Sequence, residues 1–238
     1  MNKSELYDKI LCVFFPRRCK YCGEVIKPEE RLCDSCRKNL PRIEAPVCFK
    51  CGKSKDDCNC KGKSAYYDRV TAPFYYTGAI EKAVNRMKFQ HRDFLCEAFA
   101  EDMADCVREN YENTFYDFVC CVPFSKRDIK KRPFNQSELL AKHLAEKLGV
   151  EYRDALVRLY DSGVQHRLGA GLRTGNVFGV YDVNAAVSVE GKSVLLVDDI
   201  RTTGATLNEC AKMLKIHGAA NVDCVTFAVS KLKIDSKT

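Results

Sequence analysis

Apolar positions along the C-terminal two-thirds of the chain follow two different periods. Short runs that are apolar at almost every position predict strands buried on both faces of a parallel sheet, at 118–123, 193–199 and 222–229. An alternating run at 70–76 predicts a further strand. Between these runs, apolar residues recur every three or four positions and predict helices at 79–89, 93–110, 135–148 and 203–217. This alternation predicts an α/β fold with a parallel sheet and helices on both of its faces.

The first 62 residues lack this periodicity and are rich in cysteine, lysine and proline. Such a segment cannot bury a core of its own without cross-links. Its start has mixed charges and a short apolar core rather than the features of a signal peptide, and no apolar run in the chain reaches the ~20 residues that span a bilayer. We therefore expect a cytoplasmic protein without a membrane span. In a reducing compartment, clustered cysteines indicate metal binding rather than disulfides.

Eight of the fifteen cysteines form two quartets with the spacing of zinc ligands. Cys19, Cys22, Cys33 and Cys36 follow the pattern C-x2-C-x10-C-x2-C, and Cys48, Cys51, Cys58 and Cys60 follow C-x2-C-x6-C-x-C. Two close pairs of thiolates supply the tetrahedral sulfur environment that structural zinc prefers. The quartets predict two structural Zn²⁺ ions, bound either by consecutive ligands or in a cross-braced arrangement. We expect a double zinc ribbon over residues 1–64 and a second domain over residues 65–238, in which the other cysteines are mostly buried hydrophobic residues.

The formal net charge of +7 overstates how basic the protein is. Two four-thiolate zinc sites each contribute about −2, which leaves a net charge of about +3. This net charge is too small to indicate nucleic-acid binding, so only a local cluster of basic residues could indicate it. One such cluster is the loop after the strand at 118–123, which holds Lys126, Arg127, Lys130, Lys131 and Arg132 against a single acid, Asp128. The loop is either a binding site for pyrophosphate or nucleic-acid phosphates or a solvated surface.

The segment 194–206 carries the most informative chemistry. Four apolar residues place a strand in the core, and Asp198 and Asp199 then emerge at its C-terminal end, where open α/β sheets bind ligands. The next turn consists of small and hydroxylated residues and leads directly into a helix, whose N-terminal N–H groups form a seat for an anion. Gly204 allows a phosphate to approach the backbone closely. Carboxylates that can hold ribose hydroxyls or Mg²⁺, next to such a seat, suit a ribose 5-phosphate.

This segment resembles the 13-residue phosphoribosyl-diphosphate motif of type I phosphoribosyltransferases at essentially every position. The resemblance implies a Rossmann-like phosphoribosyltransferase domain in which Asp198 and Asp199 face the 2′- and 3′-hydroxyls of the ribose and take part in catalysis. It also implies that the turn wraps the 5′-phosphate, through Arg201, Thr202, Thr203, Gly204, Ala205 and Thr206.

Three further stretches narrow the resemblance. Met87-Lys88-Phe89 with Arg92 resembles an LKF…R signature, and the stretch from Val122-Pro123 to Asn135-Gln136-Ser137 resembles VP…R…RGFNQS. A third pattern is carried by Arg158, Gln165, Leu168, Arg173 and Asn176. Together with the cysteine quartets, these stretches cover nearly the whole chain and resemble the ComF family of competence proteins. Two departures are Pro133, where the family usually has Gly, and Ser162, where it usually has Thr.

The resemblance also implies ligand contacts outside the phosphate turn. Phosphoribosyl diphosphate would be contacted by Lys126, Arg127, Arg132 and Gln165, and Arg173 would take part in catalysis. Gln165 and Arg173 lie in a glycine-rich segment whose composition suits either a mobile lid or a structural loop.

Two functional hypotheses follow from the resemblance. In the first, the protein binds phosphoribosyl diphosphate or a related ribose 5-phosphate and handles cytoplasmic single-stranded DNA in natural transformation, with a competence helicase and a recombination-loading protein as partners. In the second, it is an active nucleobase phosphoribosyltransferase of purine or pyrimidine salvage, a pentosyltransferase that releases pyrophosphate with Mg²⁺ as counterion. No segment identifies the acceptor base. Aromatic residues that could stack on single-stranded DNA are Tyr21, Phe49, Tyr66, Tyr67, Phe124 and Phe134.

Overall fold

The computed structural model of the protein describes residues 16–60, 64–89, 94–124, 134–159 and 179–231. Its helices and strands, in chain order, are α1 (Asp34–Asn39), β1 (Val47–Cys48), β2 (Lys53–Ser54), β3 (Arg69–Thr71), β4 (Phe74–Tyr75), α2 (Gly78–Phe89), α3 (Phe94–Asn110), β5 (Phe118–Cys121), α4 (Gln136–Leu148), β6 (Leu156–Arg158), β7 (Tyr181–Val183), β8 (Ser193–Arg201), α5 (Ala205–Ile216) and β9 (Asn221–Val229). Among the residues described, none of the helices combines the length and apolar character needed to cross a membrane.

A five-stranded parallel sheet forms the centre of the C-terminal part. β8 and β9 lie in the middle, β5 lies at one edge, and β3 and β4 both pair with β9 on the other side. The predicted parallel sheet is thereby confirmed. The strand predicted at 70–76 is corrected to two short strands, because Pro73 lies between them and has no N–H to donate to a neighbouring strand. The antiparallel pair β6–β7 is not evident from the sequence, since strands of three residues show no recognisable period.

The side chains of β8 alternate between two cores, which explains why its sequence is a continuous apolar run. Leu195 and Val197 belong to the core on one face, together with residues of α2, α3 and α4. Val194 and Leu196 belong to the core on the other face, together with residues of α5. All four side chains are fully buried. Helices therefore cover both faces of the sheet, as predicted.

Cysteines outside the quartets are core residues wherever the structure describes them. All of these are buried: Cys96, Cys106, Cys120, Cys121, Cys210 and Cys224. Burial raises the pKa of Cys106 to about 11 and that of Cys121 to about 12. These thiols stay protonated at neutral pH, so they act as small hydrophobic residues, as expected.

A buried ion pair joins β9 to β3. Asp223 is fully buried and accepts hydrogen bonds from Arg69 at both carboxylate oxygens. The hydroxyl of Tyr116 donates a further hydrogen bond to Asp223 at 2.9 Å, and Arg69 lies over the ring of Tyr111. The negative charge is therefore fully compensated inside the protein.

The Asp223→Ala substitution is expected to lower the free energy of unfolding by about 3 kcal/mol, because it leaves the Arg69 guanidinium partly buried without its partner. Urea denaturation followed by far-UV circular dichroism measures this change. Asp105→Ala is the control, since the Asp105–Arg108 pair is exposed and should contribute little. An equal decrease in the free energy of unfolding in the two variants would contradict the claim that the buried ion pair contributes more than the exposed one.

Candidate metal centres and functional site

Each cysteine quartet forms its own cluster of sulfur atoms. All Sγ atoms within a quartet lie within 4.8 Å of one another, in the cluster of Cys19, Cys22, Cys33 and Cys36 and in that of Cys48, Cys51, Cys58 and Cys60. Zn–S bonds of ~2.3 Å in a tetrahedron place sulfur atoms about 3.8 Å apart. The quartets therefore fit two structural zinc ions. Each cluster consists of four consecutive cysteines, which is the sequential arrangement of ligands and not the cross-braced one.

The first zinc knuckle, residues 19–23, is fastened to α2. The guanidinium of Arg86 donates hydrogen bonds of 3.3–3.4 Å to the carbonyls of Cys19, Lys20 and Tyr21. Gly23 has a φ of +83°, and a Cβ atom at this position would lie 2.9 Å from the guanidinium carbon of Arg86. Glycine thus provides both the left-handed turn and the space for the arginine.

Tyr21 extends the first zinc cluster into the main core. Its ring is fully buried and contacts Phe74 edge-on at 5.5 Å and Phe99 at 6.2 Å. Its hydroxyl donates to Asp102 of α3 at 2.9 Å, and Asp102 also pairs with Lys20 at 2.9 Å. The first ribbon and the sheet therefore share one core.

The second ribbon is joined to the C-terminal part by two tyrosine hydroxyls. The hydroxyl of Tyr67 donates to the carbonyl of Lys50 at 2.8 Å, within the knuckle between Cys48 and Cys51. The hydroxyl of Tyr75 accepts a hydrogen bond of 3.1 Å from the N–H of Ser54.

The acidic pair lies at the C-terminal end of β8, and each carboxylate has a partner from another element. Ser137, in the first turn of α4, donates its hydroxyl to Oδ1 of Asp198 at 2.9 Å. Lys88, near the end of α2, pairs with Asp199 at 2.5 Å, and both side chains are more than four-fifths buried. Burial, followed by the neighbouring charge of Asp199, raises the pKa of Asp198 to about 7. Asp198 therefore gains or loses a proton near neutral pH.

The turn after the acidic pair leads into α5. Gly204 adopts a φ of +82°, and the hydroxyl of Thr203 accepts a hydrogen bond of 3.2 Å from the N–H of Ala205, where α5 begins. Thr202 and Thr203 are exposed, and Thr206 is partly exposed. An open turn with several hydroxyls at a helix N-terminus is suited to bind a phosphate.

Arg201 packs against this turn. A Cβ atom at position 204 would lie 2.7 Å from Nη2 of Arg201, so Gly204 is needed for contact with the guanidinium as well as for its left-handed conformation. Arg201 is only 9% exposed. Its positive charge is therefore held beside this turn, inside the protein.

A cavity of about 200 Å³ in front of the acidic pair gathers the separate stretches that resemble the ComF signatures. It is lined by Lys88, Val122, Pro123, Phe124, Asn135, Gln136, Ser137, Arg158, Tyr181, Asp198, Asp199 and Thr206. Arg158 donates a hydrogen bond to the hydroxyl of Tyr181 at 3.1 Å across the pair β6–β7. Segments that are distant in sequence therefore meet at one end of β8.

Of the residues that line this cavity, only Asp198, Asp199 and Thr206 were predicted as site residues; Lys88, Ser137 and Tyr181 are three of those that were missed. Lys88 and Ser137 stand inside two of the quoted signatures, which were the available signal. Tyr181 carries no such signal and reaches the cavity through the pairing of β7 with β6. The predicted contacts Lys126, Arg127, Arg132, Gln165 and Arg173 lie outside the described residues, as do Arg92, Pro133 and Ser162.

Two of the aromatic residues considered for DNA stacking are corrected by the structure. Tyr21 is fully buried and Tyr67 is 6% exposed, because both rings are enclosed where the zinc ribbons meet the C-terminal part. Phe49 and Tyr66, by contrast, are exposed by 37% and 50%.

The stability of the ligand-free protein should fall as the pH rises from about 4 to just above 7, because of Asp198. Its pKa rises from 3.8 to about 7 on folding. The folded state holds this proton more tightly, so the associated stability is fully present below pH 4 and is lost as the pH rises through 7. Asp198→Asn should unfold at nearly the wild-type temperature at pH 4 and at least about 5 °C higher at pH 8.5. Thermal unfolding scans across this range measure the difference, and a difference independent of pH would contradict the assignment to Asp198.

Comparison with known proteins assigns a domain family to each of the two parts of the chain. Residues 133–236 match the phosphoribosyl transferase domain family, and residues 10–67 match the double zinc ribbon domain family. The chain is 30% identical over 208 residues to the DNA utilization protein YhgH of Salmonella typhimurium, which covers 86% of each chain. It is 27% identical over 215 residues to the competence protein ComFC of Bacillus subtilis, which covers 85% of each chain.

Among solved structures, the chain is similar to glutamine phosphoribosylpyrophosphate amidotransferase from B. subtilis complexed with ADP and GMP. This similarity covers 56% of the present chain and 26% of the other, with 24% identity and a TM-score of 0.40. The two matched domain families and the similarity to the curated relatives over most of the chain show that the protein belongs to the ComF family.

Proposed function

We propose that the protein binds phosphoribosyl diphosphate, or a related ribose 5-phosphate, in the cavity at the C-terminal end of β8. The observation that carries this proposal is the succession of an acidic pair, a turn rich in hydroxyls and the N-terminus of α5 within residues 198–206. Carboxylates accept hydrogen bonds from sugar hydroxyls, and helix N-termini bind phosphate. A sugar phosphate is the ligand class that uses both features.

Each group has a distinct role in this proposal. Asp198 and Asp199 accept hydrogen bonds from the 2′- and 3′-hydroxyls, and residues 201–206 hold the 5′-phosphate. Lys88 compensates the charge of Asp199 before the ligand enters. Mg²⁺ would neutralise the pyrophosphate of the ligand. Further proposed contacts, outside the described residues, are Lys126, Arg127, Arg132 and Gln165, with Arg173 as a proposed catalytic residue.

Natural transformation is the biological setting that we propose. The two curated relatives are named a DNA utilization protein and a competence protein. The protein would act on single-stranded DNA in the cytoplasm, with a competence helicase and a recombination-loading protein as partners. Tyr66 supports DNA binding, because its ring is half exposed and Nζ of Lys212 lies 5.7 Å from the ring centre. Exposed rings combined with basic groups are typical of single-strand binding.

An active nucleobase phosphoribosyltransferase is the second candidate. The acidic pair favours it, because a sensor of the 5′-phosphate would need the turn but not two carboxylates for the ribose hydroxyls. In this reaction C1 of the ribose would lose pyrophosphate and gain a base nitrogen. The chain would act mainly by positioning the two partners and by stabilising the positive charge that develops on the ribose.

Calorimetric titration of the zinc-loaded protein tests these functions. We expect saturable binding of phosphoribosyl diphosphate in the presence of Mg²⁺. Single-stranded DNA is titrated in parallel at about 50 and 200 mM salt, since a loss of affinity at higher salt indicates phosphate contacts. Release of pyrophosphate in the presence of nucleobases would identify turnover. Salt-sensitive DNA binding without any binding of the sugar phosphate would overturn the proposed ligand.

A further inference from the structure

Tyr67 connects the second zinc knuckle to the phosphate turn. Its ring is buried, and its hydroxyl donates to the carbonyl of Lys50, between the zinc ligands Cys48 and Cys51. The same hydroxyl accepts a hydrogen bond from Nη2 of Arg201 at 3.4 Å. The hydroxyl therefore lies between a backbone group that the metal centre holds in place and the arginine of the turn.

Arg201 is unusual because it is nine-tenths buried and bound to neutral oxygens. Nη2 also donates to the carbonyl of Thr203 at 3.4 Å, and the guanidinium rests against Gly204. Its buried Nε atom has no hydrogen-bond partner within the described parts of the chain. No carboxylate of those parts forms an ion pair with it: the guanidinium hydrogen bonds go to Tyr67 and Thr203. A buried charge of this kind is costly unless an opposite charge approaches, and a phosphate in the adjacent turn would supply that charge.

We propose that Tyr67 is a positioning residue that holds Arg201 against the phosphate turn, and that the second zinc ion supports 5′-phosphate binding through Tyr67. This inference rests on the proposed sugar-phosphate function. Since Lys50 lies within the zinc knuckle, loss of zinc would free the carbonyl that holds the Tyr67 hydroxyl. Arg201 could then move away from the turn, and the turn would lose the positive charge that favours binding of a phosphate dianion.

Coupling between two binding sites is reciprocal. If zinc in the second cluster favours the 5′-phosphate, then the bound phosphate must favour zinc in the second cluster by the same factor. Ribose 5-phosphate should therefore raise the equilibrium affinity for one of the two zinc ions, measured by competition with a chelator. The first cysteine cluster is held by another contact, from Arg86 on α2 to the carbonyls of Cys19 and Lys20, which does not include Tyr67.

Tyr67→Phe tests the inference, because it removes the hydroxyl and keeps the ring. Tyr75→Phe is a matched control: its hydroxyl also binds the second ribbon, at Ser54, and its ring is equally buried, but no hydrogen bond joins it to Arg201 in the described residues. We measure zinc content, unfolding temperature and the affinities for ribose 5-phosphate and inorganic pyrophosphate. Tyr67→Phe should retain two zinc ions and bind ribose 5-phosphate about tenfold more weakly, as expected for the loss of one support of a charged group.

Several outcomes separate the inference from its alternatives. It is supported if Tyr67→Phe loses affinity for ribose 5-phosphate but not for pyrophosphate, and if Tyr75→Phe loses neither. In addition, ribose 5-phosphate must raise the affinity for zinc in wild type and in Tyr75→Phe but not in Tyr67→Phe. Equal losses in both variants would indicate general loosening of the ribbon and overturn it. Unchanged affinity in Tyr67→Phe, with normal binding by wild type, would overturn the inference alone. Absence of sugar-phosphate binding by wild type would overturn the proposed function and the inference with it.

Discussion

The Cys36→Ser variant is expected to lose zinc from the first cluster and to unfold at least about 10 °C below the wild-type protein. Structural zinc stabilises four-cysteine modules by an amount comparable with the whole stability of a domain. The effect should extend beyond the ribbon, because Cys36 and Tyr21 belong to the same core as Phe99 and Phe227. Stacking of Phe99 on Phe227, with ring centres 4.2 Å apart, continues this core to the central strand β9.

Calorimetry and zinc analysis measure this prediction. Cys106→Ser is the control, since it makes the same substitution at a buried thiol that belongs to neither quartet and hydrogen-bonds Thr71 at 3.3 Å. The control should retain two zinc ions and lose only a few degrees. If Cys36→Ser instead shows two transitions, with the upper one at the wild-type temperature, the ribbon and the sheet fold independently.

Replacing both carboxylates of the acidic pair, by Asp198→Asn together with Asp199→Asn, is expected to weaken phosphoribosyl diphosphate binding by at least about 100-fold. A hydrogen bond to a charged group contributes about 1.5–3 kcal/mol, so the loss of two such bonds corresponds to two or more powers of ten in affinity. The amides preserve side-chain size, and Ser137 can still donate its hydroxyl to the oxygen at position 198. Asp199→Asn also removes the partner of the largely buried Lys88, so the unfolding temperature should fall as well, and binding is measured well below it.

Calorimetric titration with Mg²⁺ present compares this double variant with Asp182→Asn. Asp182 is a carboxylate of β7 that contacts His217 at the surface and does not line the cavity. The control should bind like wild type, and single-stranded DNA binding should be similar in all three proteins if it depends on other residues. An affinity for the sugar phosphate that falls less than about threefold in the double variant would place the ligand elsewhere.

Much of the sheet domain is encoded locally and could be predicted from the sequence. α4 begins and ends within one residue of its predicted bounds, because Asn135 caps its first turn and Gly149 ends it in the left-handed conformation. β8 was recognisable because both of its faces are buried, which makes nearly every position apolar. The break at Pro73 and the short pair β6–β7 escaped prediction, since neither produces a period.

The candidate site could be predicted only where it is continuous in sequence. Asp198, Asp199 and the turn share one stretch, in which spacing alone relates the carboxylates to the anion seat. Lys88 and Ser137 reach the same carboxylates from two helices, and their distance to the acidic pair depends on how those helices pack on the sheet. Hydrogen bonds and ion pairs between a helix and a strand do not produce a recurring pattern of residues, so they cannot be recognised in the sequence.

Cysteine spacing by itself determined that the chain has two zinc-ribbon-like sites and which cysteines form each one, because each pair of ligands needs a tight local turn. The change of composition near residue 65 likewise indicated a module before the sheet. Tertiary structure decided how that module is used: Tyr21 enters the main core, Arg86 binds the first knuckle, and Tyr67 links the second knuckle to Arg201. These contacts join residues far apart in the chain, and they arise from complementary packing of surfaces that exist only once both parts have folded.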